Sequence, residues 1–226
     1  MKKHAQFTAF KEKASAFPYF LTEPCDFDPE KESLPLIIFL HGAGERGYDI
    51  EQVKMHGIPK LFAHDEDYHN LRVITLSPQC PPDKVWDHLA FELMELIEYI
   101  AAEYNADRSR ISLTGLSMGG FGTWEMGLTF PGYFSALAPI CGGGQSWRAP
   151  VLRNTPIRAF HGDADSVVPV SRTQEMIRAV ENAGGNPSFT VFKNTDHDSW
   201  TQAYESTDLI EWLAAQKTVF SIPDHT

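Results

Sequence analysis

The sequence has few cysteines and no metal-ligand spacing. Its three cysteines, Cys25, Cys80 and Cys141, are odd in number and widely separated, which favours a reduced protein over a disulfide-stabilised secreted one. The sequence leaves a Cys25–Cys80 bridge open but does not require it. Neither the cysteines nor the nine histidines are spaced like metal ligands, so we expect no metal and no cofactor.

Basic residues and long apolar runs are also scarce. The chain has 19 Lys and Arg against 30 Asp and Glu, a formal charge of −11. Nucleic acids and anionic membranes recruit basic patches, so we expect neither as a partner. No apolar run approaches the length of a membrane span, and none follows the basic start at residues 1–7. We therefore expect a cytoplasmic protein, and the sequence leaves its oligomeric state open.

What is present is typical of a soluble globular protein. The chain has 226 residues, of which 42% are hydrophobic and 22% charged, enough for one domain with a sizeable core. We expect a single domain over residues 1–226, with residues 1–17 as a lead-in and 218–226 as a tail.

Strand and helix patterns alternate along the chain. Apolar and β-branched runs predict strands at 18–21, 36–40, 72–76, from 111, and at 134–140, 156–160 and 188–192. Helical patterns lie at 52–63 (broken by Gly57 and Pro59), 88–104, 121–130, 171–183 and 200–215, and the segments at 88–104, 121–130 and 171–183 are interpreted as amphipathic. This alternation predicts a mostly parallel sheet with helices on both faces.

A candidate nucleophile follows the strand that begins at residue 111. The segment 115–119 reads Gly-Leu-Ser-Met-Gly, a Gly-x-Ser-x-Gly pattern between a strand and a helix. Such a turn strains the serine and projects its hydroxyl above the sheet, and the residues two before and two after must be small. Ser117 is therefore predicted to be a nucleophile.

A serine hydroxyl needs a base within reach, and that base needs an orienting partner. Ser117, Asp165 and His197 each follow a predicted strand, and such connections gather at one edge of a parallel sheet. The order Ser, Asp, His is that of α/β-hydrolases. Asp163 is the alternative acid, but the spacing to Val168-Pro169 favours Asp165.

Five ordered motifs carry a family resemblance over roughly residues 18–213. They are His-Gly-Ala-Gly-Glu-Arg-Gly at 41–47, Pro-Gln at 78–79, the serine motif at 115–120, His-Gly-x-x-Asp-x-x-Val-Pro at 161–169 and His-Asp-Ser-Trp at 197–200. Together they resemble the compact carboxylesterase and predicted-peptidase branch of the α/β-hydrolases, which is related to dienelactone hydrolases and feruloyl or acetyl-xylan esterases.

The resemblance implies an α/β-hydrolase fold with Ser117 as nucleophile, His197 as base and Asp165 as its partner. It also implies an oxyanion hole formed by the backbone N–H groups of Met118 and Ala43. His41 is interpreted as a structural loop histidine, and His161 as a support for the loop that carries the acid. Residues that could contact substrate, or simply pack in the core, are Gly44, Gln79, Trp86, Trp147 and Trp200.

The short connection between the predicted strands at 134–140 and 156–160 leaves no room for a large cap domain, so we expect an open cleft. An open cleft suits soluble small-molecule esters, either short-chain or of acylated carbohydrates and aromatic acids. The alternatives are a peptidase similar to prolyl oligopeptidases and a thioesterase. From another class, a non-catalytic binding protein of the same fold would not react with a fluorophosphonate probe.

Overall fold

A computed structural model describes residues 2–4, 17–64 and 68–218. Within them, eight strands form one sheet in the order β1-β2-β4-β3-β5-β6-β7-β8. The strands β3 to β8 are parallel, whereas β2 is antiparallel to both β1 and β4. The strands are β1 (Lys2–His4), β2 (Tyr19–Glu23), β3 (Leu36–Leu40), β4 (Ile74–Pro78), β5 (Ile111–Leu116), β6 (Ala136–Ile140), β7 (Arg158–Gly162) and β8 (Ser188–Phe192).

The α-helices of the described chain lie between or after the parallel strands, with no α-helix between β6 and β7. They are α1 (Gly57–His64), α2 (Ala90–Glu103), α3 (Met118–Thr129), α4 (Ser171–Asn182), α5 (Trp200–Glu205) and α6 (Leu209–Ala215). Short 3₁₀ helices lie in the connections, among them Ala43–Glu45, Ile50–Met55 and Ser146–Leu152.

Strand β3 shows how the sheet is covered on both faces. Leu36, Ile38 and Leu40 pack into a core cluster with residues of α2, α3 and α4. Ile37 and Phe39, which alternate with them, pack into a second cluster with residues of α1, α5 and α6. Because successive side chains of a strand point to opposite faces, a continuous apolar run is needed here.

Several predicted helices differ from the observed ones. The segment 121–130 is not an amphipathic surface helix: α3 begins at Met118 and is buried on most of its surface, because it packs against both β5 and β6. The predicted final helix is two helices, separated at residues 206–208, where the Thr207 hydroxyl donates to the Ala203 carbonyl at 2.6 Å.

The predicted break in the helix at 52–63 is confirmed, but only one of its two causes is correct. The chain forms a 3₁₀ helix to Met55 and then α1, and Gly57 adopts φ +60° between them. Pro59 lies in the first turn of α1, where its missing N–H has no intrahelical acceptor to lose.

The predicted lead-in and tail fall mainly on residues 5–16 and 219–226, outside the described residues. Phe17, at the end of the predicted lead-in, is 1% exposed and packs edge-to-face on Trp86. Between β6 and β7 the chain forms only the 3₁₀ helix Ser146–Leu152, which agrees with the predicted short connection. The single domain itself stays a prediction.

The glycines of the serine turn allow close backbone contact. A Cβ added to Gly119 would lie 1.9 Å from the Leu40 carbonyl oxygen, and one added to Gly115 would lie 2.4 Å from the Gly119 carbonyl oxygen. Both contacts are with backbone, which cannot rotate away. These distances explain why the positions two before and two after Ser117 are glycine.

Gly119→Ala is therefore expected to lower the free energy of unfolding by about 3 kcal/mol or more, since the added methyl forces α3 away from β3. The measurement is urea unfolding followed by circular dichroism. Gly44→Ala is the matched control, because a Cβ at Gly44 meets nothing within 4 Å, and its effect should stay within about 0.5 kcal/mol. Equal stability of the two variants would contradict the close-packing explanation.

Candidate active site

Ser117 occupies the turn between β5 and α3 in a strained backbone conformation. Its φ is +51° and its ψ is −116°, a region that residues with a side chain rarely adopt. Its N–H donates to the Ile140 carbonyl at 3.0 Å, and its carbonyl accepts from the Phe121 N–H at 3.0 Å. These bonds fix the turn between the neighbouring strand β6 and the first turn of α3.

The structure brings Ser117, His197 and Asp165 into one hydrogen-bonded chain. The Ser117 Oγ lies 2.9 Å from His197 Nε2, and His197 Nδ1 lies 2.8 Å from Asp165 Oδ2. Because an ionised carboxylate only accepts, the Nδ1–H donates to Asp165, and Nε2 is left to accept the serine proton. Asp163, the alternative acid, is exposed, so the observed geometry favours Asp165.

The carboxylate of Asp165 is held by several donors. Its Oδ1 accepts the N–H groups of Val167 and Val168 at 2.9 and 2.8 Å, and its side chain has no exposed surface. Burial acts to raise the pKa of Asp165, but the hydrogen bonds from His197, Val168 and Val167 outweigh it and hold the pKa below its ordinary value. Asp165 is therefore ionised at neutral pH and can stabilise an imidazolium.

The two predicted oxyanion donors begin short helical segments on either side of the serine. Ala43 is the first residue of a 3₁₀ helix and Met118 the first of α3, so neither N–H has an intrahelical acceptor. A Cβ added to Gly42 would lie 3.7 Å from the Cβ of Ser117, which places the loop before Ala43 against the serine. Both N–H groups are thus available near Ser117, and their role in an oxyanion hole stays a prediction.

The loop 41–47 is tied to neighbouring segments through backbone atoms. The Gln79 Nε2 donates to the carbonyls of Glu45 and Asp49 at 2.9 and 2.8 Å. The Arg46 side chain donates to the carbonyls of Ala43 and Lys84, and the Gly47 N–H donates to the Cys80 carbonyl. The loop therefore has a fixed shape before any substrate binds.

Two residues predicted as candidates to contact substrate do not line the cleft. Gln79 is fully buried, and its amide nitrogen bonds the loop carbonyls. Trp86 is also fully buried: its Nε1–H donates to the His41 carbonyl at 3.0 Å, and its Cβ lies against Gly122. Both residues do follow predicted strands. Their side chains, however, supply the hydrogen-bond donors that the buried carbonyls of the loop 41–47 need.

The other candidates remain near or at the surface. Trp200 is half-buried and its ring packs edge-to-face on His197, with ring centroids 5.3 Å apart. Gly44 is exposed, with open space where a Cβ would be. Trp147 is 78% exposed in the 3₁₀ helix that follows β6. Substrate contact by these three residues stays a prediction.

Cys141 is a neighbour of the site that the sequence reasoning did not assign. It follows β6 with φ +40°, it is fully buried, and its sulfur lies near the Ser117 N–H. Cys141, Asp165 and His197 place potential metal-ligand atoms within 4.8 Å of one another. Burial raises the pKa of Cys141 to about 12, so Cys141 is a neutral thiol. Asp165 and His197 already bond each other. A packing role therefore explains Cys141 better than a metal-ligand role does. Its only sequence signal was its place after the strand beside β5.

All three cysteines are free thiols: Cys25 is exposed, whereas Cys80 and Cys141 are buried. The Cys25–Cys80 bridge that the sequence allows is therefore not formed in this structure. Among the described residues, no helix combines the length and apolar character that crossing a membrane requires.

The sequence matches a family model described as phospholipase/carboxylesterase over residues 73–214. This range includes Ser117, Asp165 and His197 and excludes the loop 41–47. A similar curated protein is poly(3-hydroxyalkanoate) depolymerase C of Paucimonas lemoignei, 39% identical over 54 residues, which are 24% of this chain and 13% of that protein.

Solved structures show the same fold. A thermostable esterase is 34% identical with a TM-score of 0.81, and the match covers 89% of this chain and 59% of the esterase chain. An acylaminoacyl peptidase of Pyrococcus horikoshii is 16% identical with a TM-score of 0.64, covering 94% of this chain and 42% of the peptidase. These likenesses confirm the α/β-hydrolase fold, in chains that are longer than this one.

His41 is predicted from the sequence to be structural, and its contacts support that role. Its Nδ1–H donates to the Gly42 carbonyl at 2.6 Å, and its Nε2 accepts the Cys80 N–H at 2.9 Å. Nε2 can accept only while it lacks a proton, so these contacts need the neutral ring. Burial lowers the pKa of His41 from 6.5 to about 4.

The folded state should therefore lose stability in acid. Between pH 6.5 and about 4 the unfolded chain binds a proton on His41 that the folded chain does not, so the free energy of unfolding falls as pH falls through that window. Keeping His41 neutral lowers the free energy of unfolding by about 3 kcal/mol across this window. His41→Gln should flatten this part of the pH dependence, measured by urea unfolding at several pH values. The exposed His88→Gln should not; an unchanged slope in His41→Gln would contradict the assignment.

Proposed function

The chain belongs to the phospholipase/carboxylesterase family, and from this premise we propose that it is a serine hydrolase that cleaves carboxylic esters. The observation that carries the proposal is the chain of hydrogen bonds from Ser117 through His197 to Asp165, with distances of 2.9 and 2.8 Å. The strained turn that holds Ser117 at the end of β5 supports it, because that turn directs the hydroxyl out of the sheet.

In the first half of the reaction, Ser117 Oγ attacks the ester carbonyl carbon while His197 Nε2 takes the serine proton. The carbonyl oxygen gains negative charge, which the N–H groups of Met118 and Ala43 would stabilise. The C–O bond to the alcohol then breaks, and His197 gives its proton to the departing alcohol. Asp165 stabilises the imidazolium that exists between these transfers.

The second half of the reaction repeats these steps with water as the nucleophile. His197 takes a proton from water as the water oxygen attacks the acyl-serine, and the same two N–H groups would stabilise the second oxyanion. His197 then returns the proton to Ser117 Oγ as the acid leaves. Apart from the ester and water, the proposed steps use only groups of this chain, because each proton removed in one step is returned in the next.

The proposed substrates are soluble esters with short acyl groups, including those of acylated carbohydrates and aromatic acids. The support is the short β6–β7 connection, which holds only the 3₁₀ helix Ser146–Leu152 and leaves little apolar cover for a long chain. The name of the depolymerase relative indicates a polyester substrate for that protein, which is compatible with an ester of a short hydroxy acid here.

A peptidase is the second candidate, because the acylaminoacyl peptidase shares this fold. An amide leaving group must be protonated before it departs, so activity on amides needs firmer placement of His197 than activity on esters does. Comparing matched p-nitrophenyl esters and p-nitroanilides separates the two functions. A higher kcat/KM for the anilide would favour the peptidase.

Ser117→Ala is expected to lower kcat on p-nitrophenyl acetate by up to about 10⁶-fold, because the nucleophile is lost while the fold is kept. A fluorophosphonate probe should label the wild type at Ser117, as located by mass spectrometry. Ser146→Ala is the control and should be labelled like the wild type. An adduct on Ser146 or Ser199, or no adduct at all, would contradict the proposal.

Acyl-chain specificity should favour short chains, roughly C2 to C4, because each further CH₂ contributes its ~0.8 kcal/mol only inside an enclosing pocket. The measurement is kcat/KM for p-nitrophenyl esters from C2 to C16, with and without an emulsion. An oil–water interface should not activate the enzyme. A maximum at C10 or beyond, or a jump in rate above the solubility limit, would reveal an acyl channel or a lid.

A further inference from the structure

A second histidine contacts the carboxylate oxygen that holds His197. His161, near the carboxyl end of β7, is fully buried, and its Nε2 lies 3.2 Å from Asp165 Oδ2 and 2.8 Å from the Val168 carbonyl oxygen. His197 Nδ1 lies 2.8 Å from the same Oδ2. We propose that His161 is a positioning residue that donates a second hydrogen bond to Asp165 and thereby limits how strongly Asp165 holds a proton on His197.

The hydrogen-bond partners of His161 determine where its proton lies. Both groups near Nε2, the Val168 carbonyl and the Asp165 carboxylate, are acceptors. Nε2 must therefore carry a proton in every protonation state that keeps these contacts. The backbone carbonyl lies nearer to Nε2 than the carboxylate does, and the ring cannot turn without losing both contacts.

The other nitrogen meets a hydroxyl that can act in either direction. His161 Nδ1 lies 2.8 Å from Thr173 Oγ1, and that hydroxyl lies 2.7 Å from the Gly142 carbonyl oxygen. If Thr173 donates to Gly142, Nδ1 must be protonated; if Thr173 donates to Nδ1, the ring is neutral. In either case Nε2 keeps its proton, which is the one the proposal needs, and burial lowers the pKa of His161.

A carboxylate that accepts from two imidazoles attracts each proton less strongly than one that serves a single imidazole. Without His161, Asp165 would lose a donor and become more basic, and the imidazolium form of His197 would become more stable. A higher pH would then be needed to free His197 as a base. The acid side of the rate profile should therefore move to higher pH when His161 stops donating.

Other titratable groups also face this carboxylate and its two histidines. Cys141 comes from the end of β6 and stays a neutral thiol, and Thr173 is the polar contact from α4. The acidic residues next to His197 are Asp196 and Asp198. Asp196 accepts the His197 backbone N–H, and the charge of Asp198 helps to raise the pKa of Cys141. These groups remain in every variant below, so they do not produce a difference between variants.

The kinetic test compares kcat/KM for p-nitrophenyl acetate across pH in His161→Leu, His161→Gln and the wild type. This readout rests on the proposed function. His161→Leu removes the donor and should shift the midpoint of the acid side upward by about 0.5 to 1 pH unit. His161→Gln can place an amide N–H near the position of Nε2 and should keep the wild-type midpoint, as should the exposed control His88→Leu.

A uniform loss of rate in His161→Leu at every pH, with an unchanged midpoint, would show that His161 only packs the loop and would overturn the proposal. An equal upward shift in His161→Gln would also overturn it, because that variant keeps a donor. An inactive wild type would instead contradict the proposed function, and the next measurement still tests His161.

Nitrogen-15 NMR of histidine-labelled wild type does not depend on activity or on any variant folding. Between about pH 6.5 and 8, His161 should show a protonated Nε2. The His197 titration, followed in the same spectra, should move to higher pH in His161→Leu. An unprotonated Nε2 on His161, or a His197 titration that does not move in a folded His161→Leu, would overturn the proposal.

Discussion

The close approach of the start of α3 to the ends of β3 and β6 is the constraint on which the rest of the site depends. Gly119 lies directly over the Leu40 carbonyl, and Gly120 lies against the Ile140 carbonyl and Gly142. A helix can come this near to the ends of two strands only with glycine at the positions that face them, here Gly119 and Gly120. That proximity places Ser117 above the sheet edge and points the first N–H groups of α3 toward the same space.

The second side of the site depends on loops rather than on helix packing. Gly162, at the end of β7, allows the loop before His197 to come close, since a Cβ there would lie 2.1 Å from the Thr195 carbonyl oxygen. The Asp165 carboxylate is then held by backbone N–H groups of its own loop. A charged group in a buried position needs such donors to stay ionised. Asp165 is therefore fixed independently of the turn that holds Ser117, and His197 connects the two residues.

Much of this arrangement could be predicted from the sequence. The strands at 36–40 and 188–192 have the observed bounds, because the first is a continuous apolar run buried on both faces and the second alternates polar and apolar residues at the sheet edge. The order Ser117, Asp165, His197 predicted which residues the sheet edge brings together. The helix at 118–129 was misread as amphipathic because its glycines carry no signal for which neighbour they contact. At the break at 206–208 the Thr207 hydroxyl bonds the Ala203 carbonyl and the Leu209 N–H, which no periodicity reveals.

Gln79 and Trp86 show a more general limit. Gln79 belongs to the Pro-Gln motif and Trp86 follows that segment, so substrate contact and core packing were open alternatives on sequence alone. What separates these alternatives is where the side-chain N–H groups point: those of Gln79 toward the carbonyls of residues 45 and 49, and that of Trp86 toward the carbonyl of residue 41. The carbonyls of residues 41 and 45 belong to the loop 41–47, which carries the Ala43 N–H, and residue 49 follows it closely. Buried side chains remote from the reacting atoms thus fix where that donor can lie, and a motif can reflect the geometry of a backbone group rather than contact with a substrate.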